Sequence, residues 1–192
     1  MNSSIFHSDR SFDWLYPEHF QLISKKHWTP IKIARKASKF LALPSSKVLD
    51  IGSGIGKFCL TGAYHYPLTS FYGIEQRHEL VHFADEVKTY AQINNVSFIH
   101  ANITQINFDN FDHFYFYNSF WENVDQSNKI DDTIETSYNL YSYYTQYLFN
   151  ILYTRPAGTR LVTFQGSVEE IPSSYKLVET SDNNLLRMWI KE

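Results

Sequence analysis

The sequence predicts an α/β fold organised around a mostly parallel sheet, on three observations. From Lys47 onward, short β-type apolar runs alternate with stretches of helical spacing. A glycine-rich turn joins the first such run to the first such helix, and the last two runs flank Ser181-Asp182-Asn183 as an antiparallel hairpin. Strands alternating with helices bury a sheet on both faces, giving three layers.

Each element has its own justification. Before Val48 lie an irregular aromatic segment and one helix, which Thr29 is expected to cap and Pro30 to open, since a proline loses nothing at the first helical position. Ile33, Ala37, Phe40 and Leu41 share a face of that helix, with Lys32, Arg35, Lys36 and Lys39 opposite, and Pro44 ends it. "KVLDI" reads as a buried strand, "GKFCLTGAYHY" as a helix, "SFYGIE" as a second strand and "HELVHFADEVKTYAQI" as a helix. Asn94-Asn95 turns into the strand "VSFIH", and "DHFYFYN" is the fourth strand. A long helix is expected from about Thr133 to Tyr153, burying Ile134, Tyr138, Tyr141, Leu148 and Leu152. "PAG" turns into the strand "RLVTFQ", and "YKLVET" and "NLLRMWIK" form the hairpin. Without a repeat or linker, one domain is expected over 1–192, with 1–44 a helical cap or lid and 45–192 the core.

Composition narrows the function. A formal charge of -3 draws the chain to neither nucleic acid nor an anionic membrane. No run approaches the ~20 apolar residues of a membrane-spanning helix, the start is not that of a signal peptide, and Cys59 stands alone. A cytoplasmic protein is expected, and the glycosylation-type patterns at Asn95 and Asn102 are read as chance.

The informative stretch is "VLDIGSGIGKF". A dinucleotide fingerprint would require glycine where Lys57 stands, and a phosphate-binding P-loop would require Ser or Thr where Phe58 stands. Gly52 and Gly54 let backbone approach a ligand, Gly56 permits close strand–helix packing, and the helix start favours a carboxylate. Asp50, just ahead, repels a pyrophosphate but suits an ammonium group. Glu75, at the next strand's end, can hold a ribose diol, and Asn102, after the third, can read an adenine edge or merely cap its loop. A ligand with an ammonium group, a carboxylate, a ribose and an adenine but no phosphate is S-adenosylmethionine (SAM).

"VLDIGSGIGKF", "FYGIEQ", "HANI" and "FYNSFWEN" together resemble successive motifs of the class I, seven-strand SAM-dependent methyltransferases, from about Lys47 to the C-terminus. The resemblance implies a Rossmann-like sandwich with strand order 3-2-1-4-5-7-6 and the product S-adenosylhomocysteine. It puts Asp50, Gly52, Ser53, Gly54 and Gly56 around the methionine part, Glu75 at the ribose and Asn102 at the adenine, where many members have Asp, with Gln76 also among the cofactor-binding residues. It also puts Asn118 beside the cofactor and acceptor, and Phe120 and Trp121 on the acceptor's walls, where aromatic faces favour cations. The Asn-Pro-Pro-Tyr motif of adenine and glutamine N-methyltransferases is absent, because Ser119 and Phe120 replace the prolines. "NSF" is instead similar to the Asn-x-Phe of histone-lysine methyltransferases lacking a SET domain, over too few residues to imply a histone substrate. The expected acceptor is a nitrogen nucleophile, on a protein lysine or a small amine, and no obligatory general base stands out, although Glu122 is near.

Three features stay outside that frame. "HELVH" matches the zinc-peptidase pattern, yet at about 100° per residue His78 and His82 fall opposite the stripe Leu80, Phe83, Ala84, Val87 and Ala91, so surface histidines are expected. Trp14, Tyr16, Phe20, His27 and Trp28 gather ahead of the glycine loop as core or lid, and Thr29 can approach the cofactor carboxylate. Lys25, Lys26, Lys32, Arg35, Lys36 and Lys39 are the basic concentration, expected to be a solvated face rather than a nucleic-acid surface. A non-catalytic cofactor-binding module is the alternative to the enzyme.

Overall fold

A computed structural model describes residues 3–192; Met1 and Asn2, where the expected cap segment begins, lie outside the described residues. The strands are β1 (Lys47–Ile51), β2 (Ser70–Glu75), β3 (Val96–His100), β4 (His113–Phe116), β5 (Arg160–Phe164), β6 (Tyr175–Ser181) and β7 (Leu186–Lys191). They form one sheet of order β3-β2-β1-β4-β5-β7-β6, parallel except where β7 runs against β5 and β6. The helices are α1 (Asp9–Asp13), α2 (Glu18–His27), α3 (Ile31–Leu41), α4 (Lys57–His65), α5 (His78–Tyr90) and α6 (Tyr138–Thr154).

The period-two alternation of each strand divides the core. Val48, Phe71, Val96, Tyr115 and Val162 face α3, α4 and α5, whereas Leu49, Ile74, Phe114 and Leu161 face Leu148 and Leu152 of α6. Strand order reverses between β1 and its neighbours β2 and β4, which opens a crevice beyond their carboxyl ends. Ile51 is level with Ile74 of β2 and Phe116 of β4, so the glycine loop, Glu75 and Asn118 leave the sheet side by side. Asn95 seals the opposite end by donating to the carbonyls of Ala63, Tyr66 and Thr69. No helix among the described residues is long and apolar enough to cross a membrane.

Three expectations need correction. The segment before α3 is not irregular, because α1 and α2 occupy most of it. Pro30, not Thr29, precedes α3, and the Ile31 N–H donates to Asp9 of α1 at 2.8 Å. The cap thus comes from another helix, which frees Thr29 to meet the Tyr115 hydroxyl at 3.0 Å. The last helix begins at Tyr138 rather than Thr133. Asp131 accepts both the backbone N–H and the hydroxyl of Thr133, a local turn that competes with helix, and Ser137 supplies the N-cap by accepting from the Leu140 N–H. Ile134 therefore lies outside the helix, and Tyr138 is exposed.

Candidate functional site

The crevice holds a cavity of about 430 Å³, within the range of small-molecule sites. Of the residues expected around the cofactor, Thr29, Asp50, Gly52, Ser53, Gly54, Glu75, Gln76, Asn102 and Asn118 line it, together with Phe120 and Trp121. Gly56 is the exception. A Cβ there would fall 2.4 Å from the Phe98 ring, so this glycine serves strand–helix packing.

Loop geometry follows from the glycines. Gly52 and Gly54 have φ of +74° and +52°, where L side chains are strained. Both are also pressed from outside, since a Cβ would meet Ser119 at 2.4 Å or the Trp28 ring at 2.5 Å. The Gly52 and Ser53 N–H groups donate to the Ile74 carbonyl, which fastens the loop to β2. The Ser53 hydroxyl is buried without a hydrogen-bond partner among the described residues, so a ligand oxygen or nitrogen there would satisfy it.

Both acids are buried at strand ends. Asp50 accepts a weak hydrogen bond from the Cys59 thiol at 3.7 Å. Burial pushes its carboxyl well above the usual range, the thiol contact opposes this, and the Glu75 charge adds to it. Glu75 accepts from the Gly54 N–H at 3.1 Å and the Arg77 N–H at 2.9 Å. Burial raises its pKa and these bonds restrain the rise. A carboxylate has about four lone-pair sites, so two remain for a diol.

Asn102 is engaged more fully than its residue type suggests. Its amide donates to Gln76 at 3.0 Å and to the Tyr144 hydroxyl at 2.8 Å, while its oxygen caps the following turn at Thr104. The Asn118 side-chain amide has no hydrogen-bond partner among the described residues, and its backbone is held at φ +40°. Phe120 is buried against Tyr144, whereas Trp121 is 48% exposed at the mouth.

Lining residues Arg77 and Lys57 were not expected at the site, and the aromatic Tyr16 supports it from outside the cavity. Arg77, side chain 3% exposed, grips Glu122 through two hydrogen bonds of 2.9 Å and reaches Asp131 at 3.0 Å, which moors the segment after β4 to the turn after β2. Lys57, nearly inaccessible, pairs with Asp9 and Asp13 at 2.7 and 2.8 Å. Tyr16 donates to the Ile55 carbonyl at 2.8 Å, so the residues before β1 are fastened to the glycine loop. Of the early aromatics, Tyr16, Phe20 and Trp28 are buried, Trp14 is exposed, and half-buried His27 faces the cavity. A local cue existed only for Arg77, which adjoins the Glu75-Gln76 pair.

The histidines of "HELVH" are on the surface. His78 and His82 are exposed, His82 beside Glu86 at 3.4 Å and His78 edge-on to His100. Within the basic concentration, Lys32 and Lys36 pair with Asp182, and Lys25 and Lys26 line the cavity.

The chain matches a family model described as a methyltransferase domain over residues 43–141. Similar solved structures include an RNA methyltransferase from Salinibacter ruber in complex with S-adenosyl-L-homocysteine (16% identity, TM-score 0.60, covering 85% of this chain and 91% of that one). Others are a SAM-dependent methyltransferase from Aquifex aeolicus (14%, 0.55, 88% and 95%) and TrmN from Thermus thermophilus (16%, 0.62, 89% and 51%). At these identities the likeness is one of fold, and a comparison with curated protein sequences finds no match. The family model covers more than half of the chain, and strand order, crevice and glycine loop accord with it. The chain therefore belongs to the methyltransferase-domain family, as a class I enzyme whose methyl donor is SAM.

Proposed function

We propose that the enzyme methylates a nitrogen nucleophile, a protein lysine or a small amine, with the donor held by the tips of β1 and β2 and the acceptor met at the tip of β4. The residues before β1 serve as a cap over one catalytic domain. The observation that carries the acceptor reading is Asn118. Its carboxamide lines the cavity, lacks a hydrogen-bond partner among the described residues and stands on a strained left-handed backbone, a conformation retained where geometry matters more than comfort.

In this reading Asp50 faces the donor's ammonium group, and Ser53 with the loop between Gly52 and Gly54 receives its methionine part. Glu75 takes the ribose diol, and Gln76 and Asn102, tied to one another, frame the adenine with Asn102 acting through Gln76. Thr29 is steadied by Tyr115 at the far wall of the cavity. When bound, SAM supplies an electrophilic methyl group on a sulfonium. The Asn118 carboxamide oxygen accepts an N–H of the acceptor and aims its lone pair at that methyl, a gain of positioning rather than of bond making. Phe120 and Trp121 wall the acceptor and favour a cationic group.

Transfer of tritiated methyl from SAM to lysate fractions of small molecules, RNA and protein tests the acceptor class. Label in an amine-containing or lysine-containing fraction, lost with Asn118→Ala, is the expected result. Label confined to RNA, or carried on oxygen or carbon, would replace the nitrogen-amine reading.

A further inference from the structure

The chemistry proposed above leaves one group unaccounted for, the acceptor of the proton. An amine in neutral water is an ammonium ion with no lone pair to donate, so the cavity must take a proton before the nitrogen can attack. Most of the titratable side chains lining it are already committed, Tyr144 among them, whose hydroxyl accepts from the Asn102 amide. Glu122 is engaged by both terminal nitrogens of Arg77. Asp125 accepts from Ser127 and Asn128 and is held below the usual carboxylate range, which makes it a weak base. Tyr117 donates its hydroxyl to the Lys26 carbonyl, and burial keeps it protonated. Asp50 and Glu75 belong to the donor half, and the lysines and Arg77 offer donors rather than acceptors.

His27 differs from all of these. It is the last residue of α2 and lines the cavity, and neither of its ring nitrogens has a hydrogen-bond partner among the described residues. Its neighbours fix its place. Trp28 is pressed on Gly54 of the donor loop, and the Lys26 carbonyl receives the Tyr117 hydroxyl beside Asn118. The His27 backbone thus runs between a residue packed on the glycine loop and one that meets Tyr117 at the end of β4, and its side chain lines the cavity.

We propose that the His27 imidazole is a catalytic residue that takes the proton from the acceptor nitrogen. The imidazole lone pair bonds to one ammonium proton, and the N–H electron pair returns to nitrogen. That pair then forms the new N–CH3 bond as the C–S bond breaks and its electrons go to sulfur, leaving a neutral thioether. The proton on His27 leaves through the open mouth to water. The charged groups around the ring suit this cycle. Burial lowers the His27 pKa, and Arg77 and Lys26 lower it further against the opposing charge of Glu122, so the imidazole is neutral and receptive at pH 7.

The inference rests on the methyltransferase reading of this cavity, and the tests separate the two. Imidazole proton spectra of the ligand-free enzyme across pH 4–9, with the His27 resonance identified by its loss in His27→Gln, report the ring directly. A midpoint below the ordinary value of about 6.5, and a resonance that moves when S-adenosylhomocysteine is added, support the proposal. A midpoint at or above that value, or no response to a ligand that calorimetry shows to be bound, overturns it. Methyl transfer to the labelled fraction then tests the role. With S-adenosylhomocysteine affinity retained, His27→Gln should lose about 100-fold in rate at pH 7 and lose the acid limb of the pH profile. His27→Ala should regain rate with added imidazole. A wild-type rate and profile in His27→Gln, or no rescue, overturns it. Failure of S-adenosylhomocysteine to bind, or of every fraction to accept label, overturns the underlying reading and this inference with it.

Discussion

The tips of β1 and β2 and the tip of β4 face one another across the same cavity, yet they are built by different rules. The side proposed to hold the donor is local. Asp50, the glycine loop and Glu75 come from two short segments, and the loop amides reach Glu75 and the Ile74 carbonyl directly. The side proposed to meet the acceptor is assembled from afar, with His27 from α2, Asn118 and Trp121 beyond β4, and Gln165 beyond β5, itself at φ +57°. A single adenosyl amino acid demands the first arrangement, whereas the second is free to vary with the acceptor.

The largest expected effect breaks the joint between the two sides. Arg77→Met leaves Glu122 and Asp131 buried or half-buried without their cation, which should cost about 3 kcal/mol of stability, read as a fall in Tm. The segment after β4 should become protease-sensitive at the same time. Next, Asn118→Ala should lower the rate of methyl transfer about 10- to 100-fold while leaving S-adenosylhomocysteine affinity within about threefold. A parallel loss of affinity would show that the two sides are not separable.

Asp50→Asn gives the smallest change, of opposite sign for binding and stability. The folded chain holds the Asp50 proton to higher pH than the unfolded chain does, because burial disfavours the charge. Its favourable contribution is therefore complete below the unfolded carboxylate pKa of about 4 and is lost as pH rises through the raised folded value. The ligand-free variant should be more stable than wild type at pH 7 by about 1 kcal/mol, with the gap closing toward pH 4, while cofactor affinity falls. Thermal melts across that range read it.

The same contrast explains what the sequence disclosed. Strand order and the hairpin were legible because apolar period, turn residues and glycine spacing are local signals, and "VLDIGSGIGKF" with "FYGIEQ" pointed to residues that line the cavity. The misses were tertiary. Thr29 looked like a cap because nothing nearby announces that Asp9, 22 positions away, caps α3 instead. Thr133 looked helical until the Asp131 side chain claimed its backbone. The pairing of Arg77 with Glu122 spans 45 positions, and His27 gains its meaning only where Trp28 meets Gly54. Asn102 had the expected location but is occupied by Gln76 and Tyr144.

The account depends on a buried carboxylate at the end of β2 holding the sugar of a cofactor that carries no phosphate. Calorimetric titration of wild type and Glu75→Ala with S-adenosylhomocysteine tests this most directly, with melting curves to show that both are folded. The account predicts binding by wild type and about 100-fold weaker binding by the variant, since hydrogen bonds to a buried charge are lost. Equal affinity in the two proteins would contradict it.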